Sequence, residues 1–585
     1  MDTIQYQKAS QKNPNNIKRD INRLKEKNRM KKISYFFIGI ALTISVGLSF
    51  GFADKYFEMS KNLDIFSSLV KELNTYYVDE TEPGELMKTA IDGMLESLDP
   101  YTNYIPESKI EDYKFMTTGQ YGGIGALIHK DSNYVLISEP YEGFPAQKAG
   151  LKAGDIILKV DGKDIVGKNT SEISDFLKGQ PGTELTLTIK RPGNSKEIEK
   201  TVTREKIKID DVPYFGMLND EVGYIKLVSF TQTASSEFSE AFKDLKENQG
   251  MKELVFDLRG NGGGLLMEAV NIVNTVIPKG KMVVETRGKL KEWDATYVTR
   301  NEPIDTEIPV VILVDGSSAS ASEIVAGTLQ DYDRAVIYGK QTFGKGLVQQ
   351  TRPLSYNAQL KVTVAKYYIP SGRCIQKLDY SNKNSRGQAQ QVPDSLIHSF
   401  KTLINNRSVF DGKGIKPDLS AEEDQLSPLS VALLRNYHIF DFATAYAIKH
   451  EEITSAKAFN LSDQEYEEFK NFLKGKKYEY STESEKILEK LRKTAKTEKY
   501  FKGAEDEYTA LETKLSPDKH GDLDKFKDEI TLLLENEIVS RYYYQDGRIA
   551  QSLSSDPEIQ GAINIIQDKT KYKDILAGNY KASTE

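Results

Sequence analysis

Apolar positions follow several different rhythms along this 585-residue chain, and each change of rhythm marks a part of it. Residues 33–53, ISYFFIGIALTISVGLSFGFA, carry no charge over 21 positions. Coiled as a helix, such a run reaches about 31 Å, against about 30 Å for a hydrocarbon core. Residues 54–117 place apolar side chains at i, i+3 and i+4, as in LVKELNTYYVDE and LMKTAIDGMLESLDPYTNYI, with Pro83-Gly84 as the turn between two helices. This predicts a helical subdomain without chemistry of its own. Between 118 and 206 the segments QYGGIGALIHK, NYVLISEP, DIILKVDG and TELTLTIKRPG predict short strands, with helices near FPAQKAGLKAG and TSEISDFLKG. From 207 to 380 strands (EVGYIKLVSF, ELVFDLRG, PVVILVDG, LVQQTRPL, LKVTVAKYYI) alternate with helices (SSEFSEAFKDLKEN, GLLMEAVNIVNTVI, ASEIVAGTLQDY), which predicts an α/β core. Residues 381–585 return to helical spacing rich in Lys, Glu, Leu and Tyr, either an oligomerisation element or a solvated appendage.

Charge gives the apolar run a direction. Residues 1–32 hold Lys18, Arg19, Arg23, Lys25, Lys27, Arg29, Lys31 and Lys32 just before the run, against Asp20 and Glu26. The positive-inside rule keeps this basic segment cytoplasmic and puts everything after residue 54 on the other side. Residues 33–53 are therefore expected to be an uncleaved single-pass inner-membrane anchor, with the bulk of the chain on the periplasmic side. Gly51-x-Ala53 offers a cleavage site as the alternative, and a buried core helix is the third reading. The net charge of −7, with both signs interleaved, leaves no broad basic surface for nucleic acid. Cys374 is the single cysteine, so neither an intramolecular disulfide nor a Cys-based metal cluster can form.

Two strand-to-helix junctions in the α/β core carry candidate chemistry, because ligands gather where such strands end. In DLRGNGGGLL, Asp257–Leu266, four glycines fall within five residues ahead of a helix. Bare backbone amides at a helix start suit a negative charge. The spacing fits neither a dinucleotide fingerprint nor a P-loop, so an oxyanion hole is the better reading. At the second junction, Ser317, Ser318, Ser320 and Ser322 crowd six residues, and Ser320-x-x-Glu323 is also a capping box. A nucleophilic serine needs a base. The five histidines, His129, His398, His438, His450 and His520, all lie outside the α/β core. Lysine is the alternative, provided burial or a neighbouring positive charge lowers its pKa toward about 7 to 8. Lys345 sits between Gly344 and Gly346 in TFGKGLVQ, where the backbone can pack tightly and turn the amine inward. Gln349, four positions on, shares its face if the strand is regular and can orient a lysine without adding charge.

The β-rich segment has a glycine loop of its own. Gly122, Gly123 and Gly125 free the backbone around Ile124 to form a nest for a terminal carboxylate, or merely a tight entry turn. With FPAQKAGLKAGDIILKVDGKDI, the segment resembles a PDZ domain. That resemblance implies capture of peptide C-termini at Gly123, Ile124 and Gly125, in a groove between the strand from Ile124 and the helix around Ile173 and Leu177, with apolar ligand ends preferred.

Taken in order, LDPYTNYI, the PDZ-like segment, DLRGNGGG, SASASEIVAGTLQD, TFGKGLVQ and YYIPSGRCIQ resemble the C-terminal processing peptidases, or tail-specific proteases, over residues 60 to 380. The resemblance implies a ClpP/crotonase-like α/β protease core with an inserted β-rich PDZ domain and helical N- and C-terminal regions. It also makes Ser320 the nucleophile, Lys345 the general base and Gln349 the residue that holds the lysine. Ala321 N–H would be one oxyanion donor and Gly263 the second, with Gly262 and Gly264 still open. Cys374 departs from the serine usual in the family. The implied activity is a membrane-anchored serine endopeptidase working through an acyl-enzyme without metal or cofactor. Its partners would be proteins with free, apolar C-termini, the membrane and, through the helical regions, further copies of itself, with the helical tail read as a dimerisation or substrate-vault element. The rivals are a silent tethered PDZ scaffold and an acyl-transfer catalyst of crotonase-like architecture.

Overall fold

The structure, a computed structural model, describes residues 56–384, 387–421, 425–516 and 521–580. The expected anchor 33–53 and its basic lead lie outside the described residues, among which no helix is long and apolar enough to cross a membrane. The chain forms two compact units, 1–95 and 96–585. The first contains helices over 56–76 and Pro83–Glu96. Pro83, expected in a turn, opens the second helix instead. A proline costs nothing there, because the first helical N–H has no intrahelical acceptor to lose.

In the second unit the alternating strands of the β-rich module form a sheet. Its order is Ala126–Asp131, Tyr134–Pro140, Ile156–Val160, Glu184–Lys190, Ile198–Thr203, all antiparallel. Gln120–Gly123 leaves this sheet to pair with Glu205–Lys208 where the chain enters and exits the module. The helix Thr170–Leu177 starts at a capping box between Asn169 and Glu172 and packs Ile173 and Leu177 into the module's core. Ala126–Asp131 is an edge strand.

The α/β core is built on a six-stranded sheet. Tyr214–Met217 runs antiparallel to Val222–Lys226, followed in parallel by Glu253–Asp257, Val310–Val314, Val336–Gly339 and Leu419–Ser420. The unbroken apolar run VVILV follows from burial on both faces. Val310, Ile312 and Val314 pack with Phe238, Phe242, Val273 and Ile324 from the helices Ala234–Glu247, Leu266–Asn274 and Ala321–Asp331. Val311 and Leu313 face the other way, onto Ile559, Ile565, Ile566 and Tyr572 of the helices Pro557–Gln567 and Lys569–Ala577. The core thus draws on residues far beyond 380, and this part of the tail is a structural layer rather than a solvated appendage. Residues 428–516 and 521–552 form a helical body with its own apolar cluster. The β-rich module docks against it through Arg548–Glu139 at 2.7 Å, Gln147 Nε2 to Tyr544 Oη at 2.9 Å and His129 stacked on Tyr437.

A second, antiparallel sheet lies beside the first and centres on the long strand Gln359–Tyr368. Leu347–Pro353 pairs along one edge, while Asn103–Ile105 and Met282–Gly288 share the other.

Tyr572 ties the tail to the core: its buried hydroxyl accepts from Val310 N–H at 3.0 Å and donates to Val310 O at 3.1 Å. Tyr572→Phe removes both bonds and leaves Val310 N–H without this acceptor, at an expected cost of about 1–3 kcal/mol, read by denaturant unfolding. Deleting 553–585 strips one face of the sheet and should abolish soluble expression of the core.

Candidate active site

The serine-rich junction sorts its four hydroxyls by geometry. Ser318 Oγ accepts from Asp315 N–H and donates to Leu258 O, both at 2.9 Å, and Ser322 Oγ donates to Asn261 O at 2.9 Å. Both residues are fully buried and serve to fasten this turn to the glycine loop. Ser317 is exposed. Ser320 sits at the N-cap of the helix Ala321–Asp331 with φ 56° and ψ −110°, a left-handed region that a non-glycine residue enters at a cost of about 1–3 kcal/mol. The capping box is present in outline, and Glu323 Oε2 accepts from Ser320 N–H at 2.9 Å, but the serine side chain makes no cap hydrogen bond. The strain therefore serves to aim Oγ out of the helix.

Glu323 does far more than cap. It is fully buried, and its Oε1 accepts from Thr342 Oγ1 at 2.6 Å and Gly344 N–H at 2.7 Å, while Oε2 also accepts from Lys345 N–H at 2.9 Å. Ser320 N and Lys345 N thus share one oxygen at 2.9 Å each, so the two nitrogens lie at most about 5.8 Å apart. Burial pushes the Glu323 carboxyl up to about 7, opposed by its hydroxyl and amide donors.

The glycines around Lys345 are required by close approach. A Cβ on Gly344 would stand 2.5 Å from Lys377 Cβ, and one on Gly346 2.8 Å from Gln376 N. Pressed under this segment, the Lys345 amine is lowered to about 8, chiefly by burial and then by the charge of Lys361. Its Nζ stands 4.3 Å from the centroid of the Tyr101 ring. Among the described residues no hydrogen bond joins it to Ser320 or Gln349. Gln349 donates instead to Thr363 Oγ1 at 3.2 Å, and Lys345 lies before the strand Leu347–Pro353 begins, so the regular strand that the sequence reading assumed does not join the two.

The glycine loop lies directly against the serine. A Cβ on Gly263 would be 2.5 Å from Ala319 O and 2.9 Å from Ser320 Cβ, which explains a glycine at φ 94°. Its N–H, expected as an oxyanion donor, is engaged by Asn261 Oδ1 at 2.8 Å. Ala321 N–H, at the first turn of the helix, makes no hydrogen bond among the described residues.

Of the peptide-end residues expected in the β-rich module, Ile124, Ile173 and Leu177 are at most 5% exposed and belong to its interior. The helical period turns Ile173 and Leu177 inward rather than onto a groove. What faces outward is the free edge of Ala126–Asp131, with Leu127 exposed and Phe176 half-buried. Gly123 pairs with Glu205, and Gly125, at φ 70°, packs its Cα against Phe144.

The histidines stay clear of the serine. His129 bonds Ser138, His398 pairs with Asp411, His438 bonds Lys477 O and His450 stacks on Tyr446, while His520 lies outside the described residues. Sequence reasoning missed Tyr101, Lys361, Thr363 and Tyr367, whose hydroxyl donates to Ser320 O at 3.2 Å. Lys361 and Thr363 alternate along one strand, so the period-2 pattern of LKVTVAKYY carried a signal for these two, while Tyr367 lies beyond the register shift at Val364.

Residues 221–381 match the model of peptidase family S41, residues 136–191 that of a PDZ domain, and residues 429–566 "Probable PDZ-protease, C-terminal helical domain". A carboxy-terminal-processing protease of Bartonella bacilliformis is 37% identical over 352 residues, 59% of this chain and 80% of the relative. A probable CtpA-like serine protease of Staphylococcus aureus is 35% identical over 373 residues, 63% of this chain and 67% of the relative. Among solved structures, a photosystem II D1 C-terminal processing protease is 28% identical, covering 62% of this chain and 93% of that one with a TM-score of 0.34. With a serine-bearing α/β core, a PDZ module and relatives matched over most of their length, this chain belongs to the carboxy-terminal-processing serine peptidases of family S41.

Proposed function

We propose that the protein is a membrane-tethered endopeptidase that takes hold of polypeptide C-termini through its PDZ module and cleaves upstream by a Ser320–Lys345 mechanism. The observation that carries this reading is the shared Glu323 oxygen, which ties the backbone of the serine to that of a lysine whose amine is lowered to about 8. An amine with that pKa is partly neutral near pH 7 to 8, as a general base requires.

The steps follow from the groups in place. The Lys345 amine leaves the Tyr101 ring and accepts the Ser320 Oγ proton as Oγ attacks the scissile carbonyl carbon. The developing oxyanion is received by Ala321 N–H, and by Gly263 N–H once it exchanges Asn261 for substrate. The Lys345 ammonium returns its proton to the leaving amine, giving an acyl-enzyme. Water, deprotonated by the same lysine, attacks the acyl carbon; the bond from carbon to Oγ breaks, Oγ takes the proton back from Lys345, and the acid leaves. Gln349, held by Thr363, limits the swing of the lysine without adding charge. An extended substrate tail adds to the free edge of Ala126–Asp131 by strand pairing, with its terminal carboxylate at the Gly123–Gly125 turn. The charge-free run 33–53 behind a basic lead supports a tether that leaves the peptidase on the periplasmic side.

Incubated with a denatured protein, the enzyme should degrade a free C-terminus faster than an amidated one. Ser320→Ala and Lys345→Ala should each abolish cleavage with thermal unfolding unchanged, and full activity in either would overturn the mechanism. Since only the neutral amine accepts a proton, kcat/KM should rise with pH through about 8. Lys361→Gln removes the neighbouring charge, so the Lys345 pKa rises and this limb moves to higher pH, while Lys361→Arg leaves it in place. Glu323→Gln presents an NH2 where Ser320 and Lys345 need an acceptor. A displacement of about 1 Å between base and nucleophile should lower kcat about 10²-fold.

A further inference from the structure

The segment LDPYTNYI, read from its spacing as part of the helical stretch, instead follows the end of the helix at Glu96 and reaches the candidate dyad from two directions. Asp99, buried, folds it back on itself: Oδ1 accepts from Tyr101 N–H at 2.8 Å and Thr102 N–H at 2.9 Å, and Oδ2 from Thr102 Oγ1 at 3.0 Å. Beyond this turn Asn103–Ile105 pairs with Gln359–Lys361 and fixes the segment to the second sheet. Thr102 Oγ1 accepts from Thr363 N–H at 3.2 Å, and Thr363 Oγ1 is the acceptor for Gln349. Tyr101, the residue before, turns its ring face to the Lys345 amine at 4.3 Å and is braced edge-on by Tyr380, ring centroids 6.0 Å apart at 87°.

We infer that Tyr101 is a positioning residue for Lys345, its ring holding the charged amine in the resting site and releasing it on deprotonation. This rests on the reading of Lys345 as general base. A carboxylate in the same place would hold the ammonium by a charge-assisted bond and raise its pKa, defeating the base. An aromatic face attracts the cation through its quadrupole and has little hold on the neutral amine. The grip therefore ends when the amine becomes competent. The charged and titratable groups around the amine come from separate elements: Asp99 and Tyr101 on this segment, Glu323 on the serine helix, Lys361 on the long strand and Tyr380 after it. Neither carboxylate, Asp99 nor Glu323, makes an ion pair with Lys345 among the described residues, and Lys361 bears the same charge, which leaves the ring as the attractive contact.

The test uses the full chain with Phe and with trifluorinated phenylalanine at position 101, compared with Tyr101→Leu. Fluorination weakens the ring's attraction for a cation without changing its shape, so folding is preserved where leucine removes the ring altogether. Tyr101→Phe should keep most of the activity and the pH profile. Fluorination should move the acid limb of kcat/KM to lower pH, by about half a unit to one unit from the size of a cation–π contact. Tyr101→Leu should lower kcat by about tenfold or more with KM little changed, as expected for a misplaced base. A limb and a kcat that stay in place in the fluorinated and leucine variants, while Lys345→Ala is inactive, overturn this inference alone. An active Lys345→Ala enzyme overturns the reading beneath it.

Discussion

The site depends on one buried carboxylate. Glu323 collects two backbone amides from the loop that carries Lys345, one from Ser320 and the hydroxyl of Thr342. Without it, the serine turn and the lysine loop would be independent pieces of backbone. Desolvating that carboxylate is expensive, as its pKa of about 7 indicates, and the outlay is offset by four hydrogen bonds that position both loops. The same desolvation keeps the neighbouring amine from holding its proton too strongly. Burial therefore acts twice, once through an acid and once through a base, and both effects favour a lysine that can deprotonate near neutrality.

Much of this was legible in the chain itself. Strand-to-helix breaks at DLRGNGGG and VDGSSASASE singled out the glycine loop and the serine as the two candidate junctions, and the structure brings them together on neighbouring parallel strands with Gly263 packed on Ser320. The Gly-Lys-Gly context of Lys345 also read true, since both glycines are needed for close approach. Tyr101 escaped because its contact spans more than two hundred residues and helical spacing surrounds it. The shared face of Lys345 and Gln349 was assumed from a regular strand, but the strand starts only at Leu347, and the glycines that let Lys345 pack closely also keep it out of the ladder. Glu323 looked like an ordinary cap, as a capping box carries no sign of what else its carboxylate will bind.

The PDZ module taught a different lesson. Ile173 and Leu177 are the strongest apolar positions on their helix, and for that reason they went to the module's own core. A groove is lined by residues of middling burial such as Phe176, which patterning ranks below the core. The module also leans on the helical body through Glu139–Arg548 and Tyr544, whose φ of 53° and ψ of −151° kink the helix Lys527–Ser552 at the contact. Tail recognition and the helical region are thus mechanically joined, whereas the serine and lysine are held by the α/β core.

The two helices ending at Ala577 bear on when such an enzyme can exist. They form one complete wall of the sheet that carries the serine and the glycine loop, and Tyr572 stitches its central strand. The second face of the serine-bearing sheet is therefore covered only by residues more than two hundred positions after Ser320, and a chain that lacks them has the catalytic motifs without the packed sheet that aims them.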